Sequence, residues 1–257
     1  MLLMAAVAVM LMACNGNGAS LPSKDKKAVE KVSLDALAQI GQPAATVDQA
    51  LKDAGFVQAE APAAAPKKMK AAIQNKFKAP ADESVEVYYV YNIDAADMEL
   101  EGDAAAAKFN SILKKGKAII VAYVVYYNDK VVMIGSETMV AAKSGQYKLY
   151  TDVSDAWYAK IPADAMYKQW EGGTTKKDYT DHAEFVADIA AATEGIEADE
   201  VGYAITKMNM TTGAMEGFVY DGMWVDPDEE VKKQEAQNGF DPYCMMVTVV
   251  ADASAVM

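Results

Sequence analysis

From Ala118 to Tyr127 every residue is apolar or aromatic, and the run ends at Asn128-Asp129. This reads as one continuous strand followed by a two-residue turn, because Asn and Asp tolerate the left-handed geometry that a tight hairpin requires. Lys130 to Val140 is then the return strand. Ile119 to Val125 lacks the polar alternation of a half-exposed strand, so both of its faces are expected to be buried. A helix must therefore cover the side that the core does not. The segment 103–115 is the candidate, with Asp103 as N-cap, Lys114-Lys115-Gly116 as the stop signal, and Ala105, Phe109, Ile112 and Leu113 as the apolar face.

The flanking sequence extends this pattern. Val85, Val87, Tyr89 and Tyr91 alternate as one face of a strand. Ala28 to Phe56 reads as helical, with Val29, Val32, Leu34, Leu37 and Ile40 as a stripe and a break at Gly41 and Pro43. Thr46 and Gln49 have capping-box spacing before Val47, Ala50, Leu51 and Ala54. Further helices are expected at 67–78 and 181–193, and further strands at 146–150, 201–208, 215–220 and 243–251. The expected class is α+β: an antiparallel sheet with helices packed on one face, either as one unit or as two α+β subdomains in tandem. Helix–loop–strand order recurs at 70–92 and 185–209, a hint of duplication without shared motifs.

The amino terminus carries a different signal. Met1 to Met12 is almost wholly apolar, and Leu11-Met12-Ala13-Cys14 then gives way to Asn15-Gly16-Asn17-Gly18. An apolar run this short is a secretory leader rather than a spanning helix, which needs roughly 20 residues. The tetrad resembles the lipobox of bacterial lipoproteins. That resemblance implies cleavage before Cys14 and a covalent lipid on Cys14, which would tether the chain to a bacterial membrane on its extracytoplasmic side. No Lys or Arg precedes the apolar run, so translation is expected to start upstream, with Met1 internal. The expected organisation is a signal peptide at 1–13, a flexible tether at 14–27, an α+β domain at 28–152 and a second α+β subdomain at 153–257.

Cysteine and charge narrow the function classes. The two cysteines are Cys14 and Cys244. If Cys14 is acylated, Cys244 is alone, no internal disulfide forms, and Cys244 reads as a small buried hydrophobe in a strand. Net charge is −13, and all 24 basic residues are Lys. Without Arg the chain lacks the bidentate fork for phosphates and carboxylates, and its negative charge repels nucleic acid. No nucleic-acid partner is expected.

Several side-chain groups invite chemistry. Asp97, Glu99 and Glu101 stand at positions one, three and five of a calcium-type loop, with Gly102 at six. Position twelve, which should be a bidentate Glu, is Lys108. Any calcium there is expected to bind weakly. Asp226-Pro227-Asp228-Glu229-Glu230 suits a helix N-terminus. Met208, Met210, Met215, Met223, Met245 and Met246 could offer thioethers to Cu(I) or simply fill the core. Trp157, Trp170 and Trp224, with Tyr88, Tyr126 and Tyr220, are candidates for a ligand-facing aromatic platform. The only histidine, His182, reads as a residue at a helix start. No phosphate loop, zinc motif or nucleophile elbow occurs, so no catalytic residue and no cofactor are expected. The expectation is a membrane-anchored, non-enzymatic binding or envelope-interaction module. The alternative is an extracytoplasmic protein that binds a small ligand, calcium or copper.

Overall fold

A computed structural model describes residues 21–59, 85–141, 167–171, 178–179, 198–208, 215–225, 229–239, 241 and 243–252. Among these, the strands are β1 (Val57–Ala59), β2 (Val85–Tyr91), β3 (Ile119–Tyr127), β4 (Lys130–Ala141), β5 (Tyr167–Glu171), β6 (Asp178–Tyr179), β7 (Ala198–Met208), β8 (Met215–Val225) and β9 (Tyr243–Asp252). The helices are α1 (Ser23–Val32), α2 (Ala36–Gln39), α3 (Ala44–Asp53), α4 (Gly102–Leu113) and α5 (Glu229–Gln237), with a 3₁₀ turn at Ala95–Glu99. The strands form one sheet in the order β1-β2-β3-β4-β9-β8-β7-β5-β6, and every pairing is antiparallel. The α+β class holds.

The hairpin forms as its residues dictate. Asn128 and Asp129 have φ of 50° and 58°, so both occupy the left-handed region, and Tyr127 pairs with Lys130. The register shifts between Val125 and Tyr126, where Val132 is the extra residue of a bulge. From Ile119 to Tyr126 every side chain of β3 is buried.

Helices cover both faces of the sheet rather than one, as the unbroken apolar run of β3 requires. Tyr89 and Tyr91 share a face with Ile120 and Tyr126, and α1 and α3 pack there. On the other face, Ile112 and Leu113 of α4 pack on Val90, Ile119 and Val121. Full burial of a side chain such as Leu51 or Leu113 contributes about 1.5–3 kcal/mol.

The sheet runs through the boundary expected at 152. β4 pairs with β9 from Met133–Ala251 to Ala141–Tyr243. Asn110 adds a second bond between the halves, for its Nδ2 donates to the Gly239 carbonyl at 2.7 Å and its Oδ1 accepts from the Asp241 N–H at 2.8 Å. After β2 the chain enters α4 before returning as β3, whereas β7 is followed by its neighbour β8. The element order of the suggested duplication therefore diverges after its first strand.

Three local expectations need correction. The expected tether at 14–27 ends earlier, because α1 begins at Ser23 and Asp25 is 3% exposed. Thr46 and Gln49 do not form a capping box. Pro43 bridges to Lys130 and the Ala44 N–H donates to the Asp129 carbonyl at 2.9 Å, so the hairpin starts α3 early, with Pro43 rather than Thr46 as N-cap, and Gln49 instead bonds Asp53. Likewise α4 starts at Gly102 after Glu101, which places Asp103 in the first turn, where its charge still complements the helix dipole. The helices expected at 67–78 and 181–193, the strand at 146–150, Cys14, Trp157, Met210 and His182 lie outside the described residues.

Candidate functional site

Two carboxylates reach from the helices to neighbouring tyrosines of β2. On one side, Asp25 of α1 accepts three hydrogen bonds: from the Tyr91 hydroxyl at 3.1 Å, Asn92 Nδ2 at 3.0 Å and the Ala118 N–H at 2.8 Å. Asn92 sits at φ 61° and also donates to the Ala118 carbonyl at 2.8 Å. The pair thus satisfies both backbone groups of the residue just before β3. Gly55, at φ 95°, ends α3 so close to Tyr91 that an added Cβ would lie 3.2 Å from its ring. Burial first, then the Asp25 charge and hydrogen bond, pushes the Tyr91 phenol up to about 12.

On the other side, Asp48 of α3 accepts from the Tyr89 hydroxyl at 3.0 Å and from Lys52 Nζ at 2.7 Å. The Tyr89 and Tyr126 hydroxyls lie 3.1 Å apart. An ion-paired carboxylate can only accept, so Tyr89 spends its single proton on Asp48. Tyr126 must then donate to Tyr89. That order leaves lone pairs on the Tyr126 oxygen without a donor. Burial, reinforced by the bond to Tyr126 and the nearby Asp48, holds the Tyr89 phenol far above its ordinary range, and burial also raises Tyr126. Neither phenol is a base or nucleophile near neutral pH.

Tyr89 and Tyr126 are among the residues that line a cleft of about 510 Å³. Val85 and Val87 supply apolar wall, with Tyr89 and Tyr126 beside them. Asp48, Gln58 and Asp129 add polar groups at the rim. Val85 is 60% exposed.

The other candidates separate. Asp97 is ion-paired with Lys108, which stands where a calcium loop needs its bidentate Glu; that bond lowers the Asp97 carboxyl and raises the Lys108 ammonium. Glu99 and Glu101 are exposed beside it, and among the described residues no group of three His, Cys, Asp or Glu is placed to hold a metal. Tyr88 does not join Tyr126 in a platform: it lies on the α4 face, stacked on Tyr123 with centroids 5.7 Å apart. Trp170 sits on β5 and Trp224 on β8, with β7 between them. Met208 and Met215 are directly paired, but Met223 lies eight residues along β8 from Met215, roughly 27 Å by strand rise. Met245 and Met246 are adjacent and so alternate faces. The methionines therefore do not all converge.

Sequence reading found Tyr89 and Tyr91 only as strand aromatics, and Tyr126 as a member of an aromatic platform rather than as a partner of Tyr89. Asp25 and Asp48 escaped it because their partners are distant in the chain. Among the described residues no helix is long and apolar enough to cross a membrane. Comparison with protein-family models, curated proteins and solved structures finds no match for this chain.

Proposed function

We propose that this chain is a lipid-anchored extracytoplasmic binding protein, without catalytic activity, that takes its ligand in the cleft beside α3. The observation that carries the binding reading is the order of hydroxyl protons. Asp48 fixes Tyr89, Tyr89 fixes Tyr126, and the oxygen of Tyr126, a residue that lines the cleft, is left as an acceptor. Beside the Asp48 that Lys52 balances, Asp129 adds an exposed carboxylate to the same cleft. Its ligand is therefore an apolar stem ending in hydrogen-bond donors, best a cationic side chain such as lysine on a partner protein or envelope component.

Both phenols stay protonated near neutral pH, so they offer the cleft hydrogen-bonding hydroxyls and no phenolate base. The anchor rests on the lipobox-like tetrad ending at Cys14. Two measurements test the proposal. Titration with N-acetyl-lysine methylamide should shift the ring resonances of Tyr89 and Tyr126, and the norleucine analogue, which lacks the ammonium, should not. An equal response to both, or none to either, overturns the cleft assignment. Metabolic labelling with a fatty-acid probe should mark the wild-type chain and not Cys14→Ser. An unlabelled wild type overturns the anchor and leaves the cleft standing.

A further inference from the structure

The chain leaves α5 through Asn238-Gly239, an asparagine followed by glycine. Both residues are exposed, and the Asn238 carboxamide has no hydrogen-bond partner among the described residues. The amides of the pair are held only by the last helical turn. The Asn238 N–H donates to the Gln234 carbonyl at 3.2 Å, and the Gly239 N–H donates to the Ala236 carbonyl at 3.1 Å. Helix ends fray, and α5 has no basic residue in its last turn to offset the dipole there. The Gly239 carbonyl, by contrast, is committed. It accepts from Asn110 Nδ2 of α4 at 2.7 Å, and Asn110 Oδ1 accepts from the Asp241 N–H at 2.8 Å. Asn110 is buried, so this exposed dipeptide anchors an internal tie between α4 and the segment entering β9.

A glycine has no Cβ to keep its amide nitrogen away from the side chain before it, and its backbone turns freely. We propose that Asn238 is a site of spontaneous deamidation and that its isoaspartyl product releases the Asn110 tie. When the last turn of α5 opens, the Gly239 nitrogen gives its proton to solvent hydroxide and attacks Cγ of Asn238. The N–Cγ bond forms and the Cγ–Nδ2 bond breaks. Nδ2 leaves as ammonia, taking a proton from water, and a cyclic imide remains. Water then opens the imide at either carbonyl. One opening gives aspartate with an ordinary backbone. The other routes the main chain through Cβ and Cγ, which inserts a methylene carbon ahead of Gly239. The net change is uptake of water and loss of ammonia, with no oxidant or reductant. The lengthened chain carries the Gly239 carbonyl away from Asn110 Nδ2. Either product also places a carboxylate at the C-terminal end of α5, where the helix dipole opposes it. The site is independent of the cleft beside α3.

The test ages the full-length chain at mildly alkaline pH, folded and in urea, and follows each asparagine by peptide mass mapping. In the folded chain the Asn238 peptide should convert to a mixture of isoaspartate and aspartate. It should do so ahead of Asn92, Asn110 and Asn128, none of which precedes glycine. Mapping also separates it from Asn15-Gly16 and Asn17-Gly18. No conversion at Asn238 in the folded chain, while the urea control converts, overturns the site, because the helical turn then protects it. Asn238→Gln, whose longer side chain closes the ring poorly, is aged alongside. The thermal midpoint of the aged wild type should fall by roughly 2–4 °C, the worth of one buried hydrogen bond in a chain of this size, and that of the aged Gln variant should fall less. The side-chain amide resonances of Asn110 should shift in the aged wild type only. An equal fall in both chains, or Asn110 resonances that stay in place after Asn238 has converted, overturns the coupling to α4.

Discussion

Asp25 and Asp48 do the same job by different means, each tying a helix to a tyrosine on one face of β2. Asp25 is buried and surrounded by three donors, one of them the backbone N–H just before β3. Asp48 is half-buried, balanced by Lys52, and borders a cleft. Burial turns the first into a lock between three segments. Solvent leaves the second adjustable, because water can replace any partner that a ligand displaces. Two residues apart on one strand, Tyr91 and Tyr89 thus separate structure from recognition.

The largest expected effect breaks the lock. Asp25→Ala leaves the Tyr91 hydroxyl, a donor of Asn92 and the buried Ala118 N–H without their shared acceptor. The expected loss is about 3–5 kcal/mol of folding free energy, the range for removing one member of a buried charged network. Asp48→Ala leaves partners that water can serve and should cost about 1 kcal/mol. Urea denaturation of both variants measures the contrast. Equal losses would mean that burial does not distinguish the two carboxylates.

Glu137 sharpens the comparison by lacking what Asp25 has. It pairs across β4 with Val121 and Val247, among apolar neighbours, and burial alone raises its carboxyl from 4.5 to about 7. Asp25 meets three donors, whereas burial alone acts on Glu137. The folded chain therefore holds the Glu137 proton over a range where the unfolded chain has released it. This contribution is complete below the unfolded value of 4.5 and is lost as pH rises through about 7. Its size is of order 3 kcal/mol at most. Glu137→Gln should be near neutral in stability around pH 4 and should stabilise the chain above pH 8 by up to about that amount. Denaturation midpoints at the two pH values check it, and parallel pH curves for the two proteins would show that Glu137 ionises freely in the fold.

How much of this was legible depends on range along the chain. The β3–β4 hairpin is local, and Asn128-Asp129 with the apolar run of β3 announces it. The need for α4 followed from that run alone. By contrast, α1 looked like tether because Lys24, Lys26 and Lys27 are polar and because Asp25 occupies the stripe of Ala28, Val29 and Val32. A buried polar residue breaks the periodicity by which a helix is recognised. The start of α3 was misplaced for a tertiary reason, since Pro43 and Ala44 answer to Lys130 and Asp129 rather than to the spacing of Thr46 and Gln49. Of the cleft, alternation revealed which β2 side chains share a face. It could not reveal that Asp48 and Tyr126 arrive beside Tyr89, because both contacts are long-range.

The smallest effect tests the outer end of the hydroxyl chain. Tyr126→Phe removes a donor to Tyr89 while Tyr89 keeps its bond to Asp48. The fold should lose only about 0.5–1.5 kcal/mol, the net worth of one neutral hydrogen bond. The affinity for a lysine side chain should fall more, about tenfold, because the open acceptor at the cleft wall has gone. Tyr89→Phe reverses the pattern. It breaks both links of the chain and costs more stability, yet it leaves Tyr126 a free hydroxyl that can still accept from the ligand. Paired measurements of thermal midpoint and lysine-analogue affinity on the two variants separate these outcomes. If Tyr89→Phe lost the ligand and Tyr126→Phe kept it, the proton order would run the other way, and Asp48 rather than Tyr126 would face the ligand.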